Sequence, residues 1–139
     1  MFDLYNVERL AEWKKFRDRI ETSSTPFEDL ADFWAPAPFV SRYLDPKNPK
    51  SWPDPWKLII DGKFDDLAIC LGMLYTLKLT KRFRNSLCEI YTVIENNEKK
   101  YFLLIDNSSI LNYEYRSVNG RNDLVSKELT LVWSKPDKL

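Results

Sequence analysis

The chain is predicted to fold as an α+β domain, with N-terminal helices and a buried central helix packed on an antiparallel sheet of about four strands. Three observations predict it. Helical periodicity occupies the first eighty residues, while runs of Val, Ile, Tyr and Phe separated by turn signals occupy the part after Arg84. Between them, residues 65–79 are apolar on every side, the mark of a helix enclosed by other elements. At 139 residues without an internal repeat, the whole of 1–139 is expected to be one domain. Its parts are N-terminal helices (1–35), a strap (36–55), central helices (55–80) and antiparallel strands (86–134).

The first helix extends to about Ile20, because Val7, Leu10, Trp13, Phe16 and Ile20 recur at steps of three or four. A second starts at Thr25 as N-cap, with Pro26 in the first helical position and Glu28 closing a capping box. It runs to about Trp34, where Ala35-Pro36-Ala37-Pro38 stops it. Six prolines between 36 and 55 then fix the backbone of a stiff, extended segment. Phe39, Tyr43, Leu44 and Trp52 lie in it, so it is expected to be strapped onto the domain surface rather than to link two domains.

Asp54-Pro55-Trp56 opens a short helix that ends at Gly62, and Asp65 and Asp66 open the central helix, which runs to about Leu79. Lys78, Lys81, Arg82 and Arg84 gather at its end, as the helix dipole prefers. Residues 87–95 and 100–106 read as a hairpin joined by Asn96-Asn97-Glu98-Lys99. Residues 110–118 and 124–133 give two further strands around Asn119-Gly120. Lys135-Pro136-Asp137-Lys138 reads as a polar tail.

Composition narrows the function. No histidine occurs, which removes Ser-His and Cys-His nucleophile pairs and every His-bearing metal site. Lys plus Arg (21) balances Asp plus Glu (21), which argues against a broad basic face for nucleic acid. The three glycines, at 62, 72 and 120, are too far apart for a phosphate-binding loop or a dinucleotide fingerprint. No cofactor and no metal are expected. The first residues lack the features of a signal peptide, and the longest apolar stretch, 67–77, is far short of a membrane span. The expected setting is the cytoplasm or a virion, without secretion or membrane contact, and with Cys70 and Cys88 reduced.

Gly62-Lys63-Phe64-Asp65-Asp66-Leu67-Ala68, followed by two strands ending in Leu104-Ile105-Asp106-Asn107, resembles the core of transglutaminase-like domains, of the papain-like group. In that family a cysteine begins the helix in a pattern close to Gly-x-Cys-x-Asp-Tyr-Ala, a histidine follows on the next strand, and an aspartate closes the one after. The resemblance, over residues 60–106, places Phe64 at the nucleophile, Cys88 near the histidine and Asp106 at the aspartate. It implies a degenerate scaffold, a pseudoenzyme without a catalytic residue. Residues 52–59, Trp-Pro-Asp-Pro-Trp-Lys-Leu-Ile, are also similar to small proteins of tailed phages.

Cys70 reads as a core hydrophobe, and Cys88 beside Glu89 sits where a thiolate is disfavoured. Asp61, Asp65 and Asp66 lack the order of a calcium loop, and Asp65 and Asp66 read as helix-start residues. Glu98-Lys99-Lys100 offers the acid-x-Lys element of metal-dependent nucleases, in a hairpin turn. Phe39, Tyr43, Trp52 and Trp56, on or beside the stiff strap, are the protein-binding candidates, because little entropy remains to be lost on docking. The expected function is a non-catalytic interaction or structural domain, a virion component or accessory protein with a protein partner or a second copy. The alternatives are a carboxylate- or metal-dependent hydrolase such as a nuclease, and a phage inhibitor of a host enzyme.

Overall fold

The computed structural model describes residues 1–134; the 135–138 tail lies outside them. Four α-helices, α1 (Asn6–Ile20), α2 (Pro26–Trp34), α3 (Pro55–Asp61) and α4 (Asp66–Lys78), precede the strands. These are β1 (Cys88–Glu95), β2 (Glu98–Ile105), β3 (Ser109–Leu111), β4 (Val118–Gly120) and β5 (Thr130–Ser134), in one sheet of order β4-β3-β2-β1-β5 with all pairs antiparallel. The α+β class is as expected, with five strands rather than about four.

α4 lies along β2, and Leu67, Leu71, Leu74 and Leu77 are buried on its several sides. Helices α1 and α2 close over it, while Cys88, Ile90, Leu103 and Ile105 cover it from the sheet. The opposite sheet face carries Val93, Phe102, Leu104 and Ile110 under Leu124, which comes from a short 3-10 turn, Arg121–Leu124. Both faces of β2 are therefore covered, which is why its second half reads as an unbroken apolar run.

Three turns depart from the sequence reading. The hairpin connection is only Asn96-Asn97, both at positive φ (52° and 66°), so β2 begins at Glu98 instead of Lys100. The 110–118 strand is broken by Asn112 (φ 69°) and Arg116 (φ 55°), which separates β3 from β4. The 124–133 strand loses its first half to a 3-10 turn and loop, and β5 crosses to pair with β1 past a bulge at Ile90/Tyr91. The Thr25–Glu28 capping box does not form. Ser23 and Thr25 hydroxyls instead donate to the Asp29 carboxylate, at 2.5 and 3.1 Å.

The 36–55 strap lies against the domain. Val40 N–H donates to the Phe64 carbonyl at 3.0 Å, Phe39 and Phe64 form a parallel bridge, and Leu44 is buried. At the other side, the Arg9 guanidinium donates to the carbonyls of Phe2, Leu4 and Ile59 at 3.2, 2.8 and 3.0 Å. That clamp sets the Phe2 ring against Trp34 and Phe64, at centroid distances of 5.3 and 5.4 Å. Gly62, at φ 64°, ends α3 in the left-handed conformation that favours glycine, and an added Cβ would push the Arg9 guanidinium aside.

The helices meet at Thr76. Its Oγ1 accepts from the indole N–H groups of Trp13 (3.0 Å) and Trp34 (3.3 Å) and donates to the Gly72 carbonyl (2.7 Å), all in the core. Thr76→Val keeps the shape and strands two buried donors, so urea unfolding should show a loss of about 2–4 kcal/mol, with Thr76→Ser losing much less. Equal stability of the Val variant and the native protein would contradict the node. Gly72→Ala places a Cβ 2.2 Å from Trp34 Cη2, and the same measurement should show a loss near the top of the about 1–3 kcal/mol range for overpacking.

Candidate functional site

The chemistry of the chain concentrates where α4 begins. After Gly62 the backbone runs extended through Phe64, whose ring is buried among Phe2 and Trp34, toward the N-cap Asp65. Asp65 Oδ1 accepts from Ala68 N–H at 2.8 Å, and Oδ2 accepts from the Tyr43 and Leu44 N–H groups at 2.8 and 3.0 Å. One carboxylate thus caps the helix and holds the strap. Asp66 faces the sheet: Oδ2 accepts from Tyr101 N–H at 2.8 Å and Oδ1 from Asn112 Nδ2 at 2.9 Å. Burial pushes the Asp66 carboxyl up, against the hydrogen bonds from Tyr101 and Asn112, and the charge of Asp65 adds to the rise. Among the described residues neither carboxylate has an ion-pair partner within 4 Å.

A cleft of about 310 Å³ opens over this point. Asp66, Ile69 and Asn112 form its floor, and the small residues Ala35 and Ala37 form part of one wall. Two aromatic rings stand at the rim, Phe39 at 65% and Tyr115 at 73% exposure. The Tyr115 hydroxyl reaches the Ala35 carbonyl at 3.4 Å, joining the rim to the end of α2. On the far wall, Lys100 Nζ lies 5.0 Å from the Tyr113 ring centroid and 3.6 Å from Glu95. Glu95 also accepts from the Tyr113 hydroxyl and pairs with Lys127 at 2.9 Å. These hydrogen bonds, Tyr113's first, hold the Glu95 carboxyl low, and the same bond pushes the Tyr113 phenol up to about 12. The wall is therefore fixed by charge, while the rim rings stand exposed to solvent.

The structure sets Cys88 and Asp106 side by side at the end of the β1–β2 ladder, with Phe64 away from both. α4 spans about 20 Å by helical rise. Phe64 precedes its start, whereas Cys88 lies near Lys78 in its last turn. Burial pushes the Cys88 thiol up to about 11 against the pull of Lys78. Asp106 accepts from Leu87 N–H through Oδ1 and donates its own N–H to the Leu87 carbonyl, both at 2.8 Å, closing the end of the β1–β2 ladder. The sheet positions that face the start of α4 are instead Tyr101 on β2 and Asn112 after β3. Cys70, one turn into α4, is fully buried; desolvation and then the charge of Asp66 raise its thiol well above its ordinary range.

Of the aromatic candidates, Phe39 alone borders the cleft. The Tyr43 hydroxyl donates to Asp61 Oδ2 at 2.9 Å, and burial and that bond push its phenol up to about 12. Trp52 is half-buried, its indole donating to the Asp45 carbonyl at 2.8 Å. Trp56, 45% exposed, packs edge-on against Trp13 and lies under the Arg17 guanidinium on the α1–α3 side. Asn112, Tyr113 and Tyr115 escaped the sequence reading, and Lys100 entered it only within the acid-x-Lys element. Their one signal was the asparagine in Leu111-Asn112-Tyr113, since asparagine tolerates positive φ and so permits a strand to end there. Among the described residues no group of three or more His, Cys, Asp or Glu converges to hold a metal ion, and Glu98 stands exposed at the hairpin tip.

No family model matches the chain, and no curated protein sequence does so. Solved structures do match. LapG of Legionella pneumophila aligns over 94% of this chain and 76% of its own length, with a TM-score of 0.70 and 16% identity. Its calcium-bound form gives 0.72 and 15% identity over the same shares, and its EGTA-treated form 0.70 and 16% over 93% and 73%. The expectation that the chain is no enzyme is contradicted by this likeness to LapG. The missing imidazole removes only pairs that need it. It leaves carboxyl, amine and phenol groups such as Asp66, Lys100 and Tyr113 at the start of α4. At this level of identity the likeness is one of architecture: the chain has the fold of LapG.

Proposed function

We propose that this domain holds an extended segment of a partner protein in the cleft at the start of α4. The observation that carries the reading is the pair of exposed rings, Phe39 and Tyr115, flanking a cleft whose floor is fixed by Asp66 and Asn112. Exposed aromatic rings on a rigid frame are the usual anchors of protein recognition, because they contribute large contact area at little entropic cost. Ala35 and Ala37 leave room for the main chain of a guest to approach the wall. The prolines at 36 and 38 hold that wall stiff before binding.

The guest lies beside Asp66, Lys100 and Tyr113, the groups of the cleft able to exchange protons. The proposed partner is a protein of a phage particle or of its host, met in the virion or in the host cytoplasm.

Selection from random displayed dodecapeptides should return binders that compete with one another for one site. Phe39→Ala and Tyr115→Ala should each weaken them about tenfold while shifting stability by no more than about 0.5 kcal/mol, as both rings are exposed. Binders that keep full affinity for both variants would contradict the proposal.

A further inference from the structure

We infer that the guest in the cleft binds as an added strand, its main chain hydrogen-bonding to the N–H and C=O of Phe39; this rests on the cleft reading above and adds the conformation and register of the guest. Backbone donors of the strap between residues 36 and 40 are nearly all spent. Pro36 and Pro38 have no N–H. Ala37 N–H donates to the Trp34 carbonyl at 3.2 Å, and Val40 N–H to the Phe64 carbonyl at 3.0 Å. Among the described residues Phe39 N–H has no backbone partner, and no backbone N–H donates to its carbonyl.

The parallel bridge between Phe39 and Phe64 fixes where those groups point. Consecutive residues of a paired strand direct their N–H and C=O to opposite edges. With Val40 N–H turned to Phe64, the N–H and C=O of Phe39 lie on the outer edge of the strap. An edge residue of this kind is what an extended guest pairs with when it adds a strand. A helical guest spends its N–H and C=O groups within itself and has none for Phe39.

The spaces on the two faces of the strap suit such a guest. Ala35, Ala37 and Phe39 line the cleft, whereas Pro36 and Pro38 line a second hollow of about 300 Å³ with Met1, Phe2 and Asp3. Alternate residues facing opposite sides are the pattern of an extended chain. Neighbours across a strand pair share a face, so the guest residue opposite Phe39 lies in the cleft beside its ring. The guest residues on either side of it turn toward the second hollow. Proline at 36 and 38 stops a longer ladder from forming, which confines the main-chain pairing to Phe39.

The test takes a selected dodecapeptide whose affinity for the full chain falls in Phe39→Ala, and remakes it with each backbone amide in turn replaced by an ester. The ester removes one N–H and keeps every side chain. One position should weaken binding about tenfold, while the positions on either side of it change binding by less than about twofold. In the native protein the Phe39 amide should exchange with solvent at least about tenfold more slowly once the unmodified peptide is bound. Val40, already bonded to Phe64, should change little. A Phe39 amide that exchanges equally fast with and without the peptide, or a peptide in which no single ester matters, would overturn the added strand and leave the cleft reading standing. A selection that yields no peptide dependent on Phe39 or Tyr115 would overturn both.

Discussion

Two neighbouring carboxylates at the start of α4 hold the working part of this molecule in place. Asp65 turns one way, capping the helix and gripping the strap at Tyr43 and Leu44; Asp66 turns the other, gripping β2 at Tyr101 and the Asn112 amide. Helix, strap, sheet and the end of β3 are thereby referred to one point on the backbone. Partial burial of the pair makes each hydrogen bond stronger than it would be in water, and makes the residual charge costly. The cleft inherits the first property, fixed walls.

Behind that point lies a core organised around polar detail as well as apolar area. Thr76 gathers two indole N–H groups, and Gly72 lets the Trp34 ring approach the α4 backbone. Arg9 clamps the first residues onto the end of α3, bringing Phe2 over Phe64. The position that resembles the family's nucleophile is thus occupied by a buried phenyl ring within an aromatic cluster. Chemistry or recognition at this end of the helix falls to the groups beside it, in the cleft.

Helices were legible from the sequence because their signals are local. The prolines at 26 and 55 and the glycine at 62 mark ends that the structure keeps within a residue or two. The all-round apolar run of α4 announced its burial. The sheet was legible in kind and less so in detail. Asn96, Asn97, Asn112 and Arg116 adopt positive φ, and nothing in periodicity distinguishes a strand that continues from one that breaks at an asparagine. Of the three positions inferred from family spacing, Phe64 did not meet the other two, because spacing along β1 and β2 does not reveal which end of the hairpin faces the helix start. The cleft was legible only through Phe39, since Lys100, Asn112, Tyr113 and Tyr115 become neighbours through the β2–β3 pairing and the bend that follows it.

The claim that the two carboxylates fix the two walls independently is tested most directly by residue-resolved amide hydrogen exchange on Asp65→Ala and Asp66→Ala. The account predicts faster exchange at Tyr43 and Leu44 in the first variant with Tyr101 still protected, and faster exchange at Tyr101 in the second with Tyr43 and Leu44 still protected. Unchanged protection at all three amides in both variants would contradict it.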